Sequence, residues 1–322
     1  MLKKQSQAPT KSPCASQLDS AMLHVVWHGE PAVFSQMHVL GAGAYAKVLQ
    51  VKHTITGAEY GMKVAKASGT NASLSEYDLY TQLQGHPHIL QCFGAVTVST
   101  NDGPRFGLCL EVASESLLDY LRREENQLAT QVANGSGLSG RWALLWQAAQ
   151  GLNWMHHKAV LHADLKPNNM LLFNGSLLKI ADFGLSVRLD KAGLARVEAD
   201  SVYARPYRPW ELLEKQDKQD NLATVSAAAD IYALGCCAYD LFTHASLILF
   251  PNCRDLGMAL RGILPQKVEK LFGKARNLRC SEGWLADYER QFVHGTVCEA
   301  ARRLSIAEII DRCKLGMHKS RD

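Results

Sequence analysis

The stretch His162-Ala-Asp-Leu-Lys-Pro-Asn-Asn169 concentrates polar side chains directly after a long amphipathic segment. Its Asp164, Lys166 and Asn169 fall at offsets of 0, 2 and 5 in a region that we predict to be a loop. A carboxylate can orient a hydroxyl group and accept its proton, and an ammonium group can neutralise a migrating phosphoryl group. The side-chain carbonyl of asparagine is a hard oxygen ligand that suits Mg²⁺. These residue types at this spacing indicate a site that handles phosphate.

A second carboxylate follows in Leu178-Lys-Ile-Ala-Asp182-Phe-Gly184, after a short run that we predict to be a strand. Asp182 lies 13 residues beyond Asn169 (182 − 169). A Mg²⁺ ion that bridges phosphates needs an oxygen ligand of this kind. An isolated Asp-Phe-Gly is typical of a turn, so its meaning depends on the neighbouring loop 162–169.

Two features of the first hundred residues suit the same chemistry. The run Gly41-Ala-Gly-Ala-Tyr-Ala-Lys-Val48 lies between two predicted strands, and its backbone N–H groups can cradle anionic oxygens. Lys63 follows on the next predicted strand, and Glu76 on the following helix could pair with it, because a buried ammonium needs anionic partners. Either feature alone is ambiguous. No helix follows the glycines directly, which argues against a dinucleotide-binding fold.

Together these motifs resemble the signature of the protein kinase family, in the same order and spacing from about Val39 to Leu315. The resemblance implies a two-lobed α+β fold, with a small β-rich lobe that carries one helix and a large α-helical lobe. It places ATP and Mg²⁺ in the cleft between the lobes.

The resemblance also implies the role of each polar residue. If the resemblance holds, Asp164 is the catalytic base and Lys166 contacts the γ-phosphate of ATP. Lys63 holds the α- and β-phosphates and forms an ion pair with Glu76. The catalytic set that the resemblance implies is Lys63, Glu76, Asp164 and Lys166.

The nucleotide and metal sites follow from the same resemblance. Asn169 and Asp182 would hold Mg²⁺. Glu111-Val-Ala113 resembles the hinge, where the adenine ring binds backbone groups, and Leu110 would be the gatekeeper. The residues that would contact ATP are Leu40, Gly41, Ala42, Gly43, Ala44, Val48, Lys63, Glu111, Ala113 and Leu171.

Three further landmarks are similar to those of the family. Tyr207-Arg-Pro-Trp-Glu211 resembles the end of the activation segment, and Arg303 resembles the ion-pair partner of its closing glutamate. Asp230 resembles the residue that ties the catalytic loop to the central helix of the large lobe. The Lys-Pro after Asp164 resembles the serine/threonine class, and Tyr207-Arg208 loosely resembles the cyclin-dependent kinase group.

Four positions depart from the family pattern. Ala46 replaces the third loop glycine, and Gly61 replaces the alanine that packs on adenine. Ala163 replaces the catalytic-loop arginine that binds an activation-loop phosphate, so we expect loop phosphorylation not to switch this protein in the usual way. Ser201 and Tyr203 are expected to be surface residues. Ala204 stands where a threonine usually contacts the catalytic aspartate, and Trp210 lies in the closing triplet.

Periodicity supports the order of the two lobes. Short β-rich runs separated by Gly and Thr turns fill the first hundred residues, with one helix over 74–83, and helical spacing takes over after Ser116. We predict helices over 116–125, 141–157, 227–243 and 299–315, and a flexible loop over 133–140. The predicted organisation is a flexible tail over 1–32 and a kinase domain over 33–318, divided into lobes at 33–112 and 113–318.

Composition sets limits on partners and location. The chain has 322 residues, 47% of them hydrophobic and 20% charged, which suits a protein with a buried core. A net charge of +4 requires neither nucleic acid nor a membrane as partner. Nine cysteines without a CxxC pair predict reduced thiols. No long apolar segment or secretory signal is evident, so we expect an intracellular protein, cytoplasmic or nuclear, whose oligomeric state the sequence does not reveal.

The expected reaction is transfer of the γ-phosphoryl group of ATP to Ser or Thr hydroxyls of protein substrates. Two alternatives stay open. Ala204 and Trp210 favour a catalytically weak pseudokinase that binds nucleotide as a scaffold. The small residue Ala163 between His162 and Asp164 is also similar to small-molecule phosphotransferases such as the aminoglycoside kinases, although the activation segment up to Glu211 favours a protein substrate.

Overall fold

The structure is a computed structural model that describes residues 22–43, 45–66, 70–128, 138–213, 215, 221–243 and 283–319. The predicted ATP contact Ala44, most of the predicted loop 133–140 and most of the region 249–293 lie outside these residues. The described part has a β-rich lobe followed by a helical lobe, which confirms the predicted two-lobed α+β architecture.

The small lobe is a closed β-barrel of six strands in the order β1-β2-β3-β4-β6-β5, with antiparallel pairing throughout. Alternating side chains point into the barrel, as expected for strands with one buried face. Val25, Phe34 and Met62 are among the buried residues of its interior. The strands are β1 (Met22–Trp27), β2 (Glu30–Ala42), β3 (Ala46–His53), β4 (Glu59–Ala65), β5 (Cys92–Thr100) and β6 (Gly103–Leu110).

The predicted flexible tail extends too far. Residues 22–32 form β1 and the start of β2, and β1 pairs with both β2 and β5, so these residues belong to the barrel. The physical reason is the apolar run around Val25, which is buried against the barrel interior. Residues 1–21 of the predicted tail lie outside the described part of the chain.

Helix α1 (Thr70–Leu83) packs on the barrel and is anchored to the large lobe at its C-terminal end. The indole N–H of Trp154 donates to the main-chain oxygen of Leu83 over 2.9 Å, and the side chain of Gln82 donates to the main-chain oxygen of Lys158 over 2.9 Å. These contacts fix the end of α1 relative to the large lobe, and with it the position of Glu76.

The large lobe is built on helices that surround one apolar core, in which Trp142 is completely buried. Cys236 and Cys237 lie in this core, as predicted, and the six cysteines in the described ranges are free thiols. Its helices are α2 (Leu117–Leu128), α3 (Leu138–His157), α4 (Trp210–Leu213), α5 (Ala228–Thr243), α6 (Gly283–Thr296) and α7 (Ile306–Lys319). Its strands are β7 (Glu115–Ser116), β8 (Val160–Leu161), β9 (Met170–Phe173), β10 (Leu177–Ile180), β11 (Val187–Arg188), β12 (Leu194–Glu198) and β13 (Leu222–Ser226).

Several helix boundaries differ from the predicted ones. Helix α1 begins at Thr70 instead of position 74, and α2 ends at Leu128 instead of position 125. The helix predicted over 299–315 is a 3₁₀ turn over Ala300–Arg302 and then α7, because Ser305 and Glu308 form a capping box that starts a new helix. The hydroxyl of Ser305 accepts from the Glu308 N–H over 3.3 Å, and the Glu308 carboxylate accepts from the Ser305 N–H over 2.7 Å. Residues 138–140 of the predicted loop are helical and begin α3.

Candidate active site

The loop between β8 and β9 holds the predicted catalytic base at its centre. Asp164 is 6% exposed, and its Oδ2 accepts hydrogen bonds from Lys166 Nζ over 2.6 Å and from Asn169 Nδ2 over 3.0 Å. The same Asn169 amide donates to the main-chain oxygen of Asp164 over 2.9 Å. A 3₁₀ turn over Pro167–Asn169 folds the loop back on itself and makes these contacts possible. The structure therefore brings Asp164, Lys166 and Asn169 together.

A second cluster joins three distant parts of the chain. Lys63 on β4 extends its ammonium group between Glu76 on α1, at 2.8 Å, and Asp182 after β10, at 2.6 Å. The exposed fraction of the side chain is 14% for Lys63, 2% for Glu76 and 46% for Asp182. The predicted ion pair between Lys63 and Glu76 is confirmed. Asp182 lies at the open, solvent-facing side of the cluster.

The charges in this cluster shift one another. Burial lowers the pKa of Lys63, but Asp182 and then Glu76 outweigh this effect, so the pKa lies above its ordinary value. Burial raises the pKa of Asp182, but the Lys63 ammonium outweighs it, so this pKa lies below its ordinary value. For Glu76 burial dominates and raises the pKa. Lys63 therefore remains a fixed positive charge in the cleft, which suits an anionic ligand.

His162 connects the two clusters. Its Nδ1 accepts from the Asp164 N–H over 3.1 Å, which leaves Nε2 to donate to the main-chain oxygen of Ala181 over 3.1 Å. Phe183 packs its ring 4.6 Å from that of Tyr80 on α1 and 5.8 Å from that of His162. The catalytic loop, the Asp-Phe-Gly segment and α1 are therefore joined by direct contacts.

The glycine-rich run forms the turn between β2 and β3. Gly41 pairs with Val48, and Val48 pairs with Lys63, so these three residues lie side by side across β2, β3 and β4. The turn closes through a hydrogen bond from the Gly43 N–H to the Ala46 oxygen over 2.9 Å. The predicted contacts Leu40 and Ala42 lie on the same end of β2, with Leu40 exposed.

The hinge follows β6 directly. The carboxylate of Glu111 binds Lys179 over 2.6 Å, so this side chain already has an ionic partner. The Glu111 N–H donates to the Gln91 oxygen over 3.0 Å. Ala113 follows two residues later, and within the described ranges its N–H has no protein acceptor. Leu171 on β9 pairs with Ser116 on β7 close behind the hinge.

The oxygen atoms near the cleft suit Mg²⁺. Asn169 uses its Nδ2 group in hydrogen bonds and Asp182 uses Oδ1 with Lys63, which leaves one hard oxygen ligand on each side chain. Among the described residues, no three His, Cys, Asp or Glu side chains form a metal cluster. Mg²⁺ commonly takes one or two protein ligands and completes its shell with water and substrate phosphates. The two residues fit that pattern.

Two predicted supports of the site are present. Asp230 at the start of α5 accepts from the His162 N–H over 2.9 Å and from the Ala163 N–H over 3.2 Å, which confirms the predicted tie to the catalytic loop. Glu211 and Arg303 form the predicted ion pair through two bonds of 2.7 Å, and Arg303 is 1% exposed.

Other residues of the site were missed or misjudged in the sequence. Lys66 donates to the main-chain oxygen of Gly43 over 2.6 Å and fixes the glycine-rich turn, and the Asp182 N–H donates to the Tyr80 hydroxyl over 3.3 Å. Tyr203, expected on the surface, is 2% exposed, whereas Ser201 is exposed as expected. No local pattern marks these contacts, because each joins segments far apart in the chain.

A family model described as the protein kinase domain matches residues 34–310. The chain belongs to the protein kinase family. Members of this family use ATP with Mg²⁺ and act on protein substrates. Within the described residues, none of the helices combines the length and apolar character needed to cross a membrane.

Several relatives show the same similarity. Over 66% of the length of this chain, it is 29% identical to a probable protein kinase of Dictyostelium discoideum. It is 28% identical to the membrane-associated tyrosine- and threonine-specific cdc2-inhibitory kinase of Drosophila melanogaster over 73%, and 31% identical to cyclin-dependent kinase D-1 of Arabidopsis thaliana over 63%. The matched regions span 57%, 40% and 47% of these relatives, respectively.

Proposed function

We propose that this protein kinase transfers the γ-phosphoryl group of ATP to Ser or Thr hydroxyls of proteins. The observation that carries the proposal is the Asp164 carboxylate, which Lys166 and Asn169 hold at 2.6 Å and 3.0 Å beside the Lys63–Asp182 pair. A hydroxyl acceptor needs a positioned carboxylate and fixed positive charge next to the migrating group, and this arrangement supplies both.

Each residue acts at a defined point of the reaction. Lys63 binds the α- and β-phosphates, and the backbone of Glu111 and Ala113 binds the adenine ring. Asp164 orients the acceptor hydroxyl and takes its proton as the new O–P bond forms and the bond to the β-phosphate oxygen breaks. Lys166 balances the negative charge on the γ-phosphoryl group. Mg²⁺ held by Asn169 and Asp182 would neutralise charge on the phosphates when bound.

The proposed acceptor class rests on Lys166. This residue pairs with Asp164 over 2.6 Å, which places its ammonium group beside the proposed base. The Lys-Pro pair after Asp164 is the feature in which this chain resembles the serine/threonine class. One relative is named for tyrosine and threonine specificity, so analysis of the phosphorylated amino acid belongs in the test.

The pseudokinase alternative rests on Ala204 and Trp210. The absent threonine at Ala204 removes one contact to the catalytic aspartate, but Asp164 already receives two side-chain hydrogen bonds from its own loop. The small-molecule alternative conflicts with a long activation segment that ends in the Glu211–Arg303 ion pair. Both observations favour an active protein kinase.

The test is radiolabelled phosphotransfer from MgATP to a generic basic protein, followed by phosphoamino-acid analysis. Wild type should label Ser or Thr, and Asp164→Asn should abolish the label. Asp102→Asn is the control, because Asp102 is 85% exposed in the turn between β5 and β6 and should leave the label unchanged. MgATP binding without label from the wild-type protein would contradict the proposal and favour the pseudokinase. Parallel reactions offer aminoglycosides as acceptors, and label on these compounds with none on the protein would favour the small-molecule enzyme.

A further inference from the structure

Asp230 receives four hydrogen bonds, and the fourth comes from the activation segment. Its carboxylate is fully buried at the start of α5. Oδ2 accepts from the His162 N–H over 2.9 Å and from His156 Nε2 over 2.9 Å. Oδ1 accepts from the Ala163 N–H over 3.2 Å and from the Tyr203 hydroxyl over 2.9 Å. The Tyr203 hydroxyl and the Ala163 peptide therefore share one oxygen.

Tyr203 also contacts Ala163 of the catalytic loop directly. Its backbone N–H donates to the main-chain oxygen of Ala163 over 2.7 Å. Ala163 is thus held at its N–H through Asp230 and at its oxygen by Tyr203 directly. Ala163 has a left-handed backbone with a φ of 62°, which a non-glycine residue keeps only when its surroundings impose it. It also forms a peptide bond with Asp164, so its orientation sets that of the proposed base.

Arg208 fixes the backbone of Tyr203 from the other side. Tyr203 also has a left-handed backbone, with a φ of 53°. Its main-chain oxygen accepts from Arg208 Nε over 3.2 Å and from Nη2 over 3.0 Å, and Arg208 also binds the Val202 oxygen over 3.1 Å. Arg208 is 6% exposed, so these contacts are sheltered from water. Tyr203 is therefore immobilised by residues of its own segment before it reaches the catalytic loop.

We propose that Tyr203 is a positioning residue for catalysis, which fixes the Ala163–Asp164 peptide from the activation segment without a phosphate. The proposal rests on the proposed function, since positioning matters only if Asp164 acts on a substrate. The family arginine that binds an activation-loop phosphate is Ala163 here, and Tyr203 supplies a neutral, permanently buried link between the same two segments.

The test compares two tyrosines of the same segment. Tyr203→Phe removes one buried hydroxyl and keeps the ring, the backbone hydrogen bond and the packing. Tyr207→Phe is the matched control, because the Tyr207 hydroxyl donates over 2.7 Å to Asp240 on the same helix α5 and, among the described residues, makes no hydrogen bond to the catalytic loop. We expect kcat to fall about tenfold in Tyr203→Phe, with the KM for ATP within about twofold of wild type. Tyr207→Phe should keep kcat within about twofold of wild type.

A second readout separates this proposal from the proposed function. Amide hydrogen exchange over residues 160–166 should accelerate in Tyr203→Phe and not in Tyr207→Phe, whether or not the protein turns over. If wild type proves inactive and Tyr203→Phe still exchanges faster, the structural link from Tyr203 to the Ala163–Asp164 peptide is supported. The proposed function is then wrong. Unchanged exchange in Tyr203→Phe would overturn the proposal. An unchanged kcat in Tyr203→Phe would also overturn the proposal. So would an equal fall of kcat in both variants, because two hydroxyl groups with a merely structural role should have equal effects.

Discussion

Gly61 leaves a gap beside the hinge, where most of the family carries alanine. It pairs with Leu110 across β4 and β6. A Cβ atom built on Gly61 would lie 3.6 Å from the main-chain oxygen of Glu111 and 3.8 Å from the Leu110 Cβ, which is ordinary van der Waals contact. The missing methyl group therefore borders the proposed adenine site, and the backbone has room for it.

We expect Gly61→Ala to strengthen ATP binding about fourfold, since one buried methyl contact contributes about 0.8 kcal/mol. The free energy of unfolding should rise by about 0.5 kcal/mol, because alanine has less backbone freedom than glycine in the unfolded chain. Titration calorimetry with ATP and urea unfolding measure the two effects.

Gly107→Ala provides the contrast on the neighbouring strand. Its Cβ would lie 3.0 Å from the main-chain oxygen of Lys63 and 3.1 Å from a methyl carbon of Val96, so the barrel must shift to accommodate it. This variant should be less stable than wild type. If Gly61→Ala weakened ATP binding or destabilised the fold as Gly107→Ala does, the proposed open space beside the hinge would be wrong.

At the scale of elements, two attachments to the large lobe and one set of internal contacts hold the activation segment in place. Strand β12 of this segment pairs along its whole length with β13, which directly precedes α5. Arg208 binds main-chain oxygens nearby, and Glu211 closes the segment on Arg303. The inward side chains of the strand pair, such as Val197 and Val225, are buried. These attachments need no phosphate, which agrees with the alanine at position 163.

Helix α6 places a carboxyl group in the core of the large lobe. Glu289 is 4% exposed, and in the described part of the chain its Oε1 has no hydrogen-bond partner. Burial raises its pKa to about 7, although Arg141 on α3 opposes the shift. Neighbours on the same helix, Tyr288 and Phe292, pack their rings 5.4 Å and 5.3 Å from Trp142. Burial therefore disfavours the ionised form of the Glu289 carboxyl group.

The sign of the pH effect follows from this raised pKa. Between pH 4.5 and pH 7 the folded state binds a proton that the unfolded state has released, so the contribution of Glu289 to stability is full below pH 4.5 and is lost towards pH 7. We expect the stability of wild type relative to Glu289→Gln to fall by about 2 kcal/mol from pH 5 to pH 8. Urea unfolding of both proteins at the two pH values measures the difference. If the stability difference between wild type and Glu289→Gln were the same at both pH values, Glu289 would not have the raised pKa.

At the scale of the whole molecule, β1 converts the small lobe from an open sheet into a barrel. It pairs with β2 on one side and with β5 on the other, at Val25–Val98, Val26–Thr97 and Trp27–Val96. Closure removes the exposed strand edges that an open sheet would present. The same strand borders a cavity of about 310 Å³ that Tyr77 of α1 also lines, so the closing strand lies close to the helix that carries Glu76.

Two adjacent residues test the contribution of this closure. Val25 is 4% exposed and faces the barrel interior, whereas Val26 is 46% exposed on the opposite face of the same strand. We expect Val25→Ala to lower the free energy of unfolding by about 2 kcal/mol and Val26→Ala to change it by less than about 0.5 kcal/mol. Urea unfolding measures both. Equal effects would mean that β1 does not contribute to the core of the lobe.

Short-range pattern was sufficient for most of the fold and for the main residues of the site. Strand alternation and helical periodicity located β2 to β4, α1 and α3, since burial of one face constrains every second residue in a strand and every third or fourth in a helix. The helix break before α7 is also marked in the sequence, because Ser305-Ile-Ala-Glu308 is a capping-box pattern. The strand β1 was missed because six residues of alternating character next to a polar tail carry little local signal.

By itself the sequence determined the family and the order of the lobes, since residue types at fixed spacing are a local property of the chain. It also predicted the residues of the proposed active site, namely Lys63, Glu76, Asp164, Asn169 and Asp182. Only the tertiary structure decided that β1 closes the barrel onto β5 and that Tyr203 reaches Asp230. Such contacts join segments that are far apart in the chain, and they form where burial leaves a polar group in need of a partner. Their energy depends on desolvation and distance in the folded protein, and neither quantity is encoded in a local pattern.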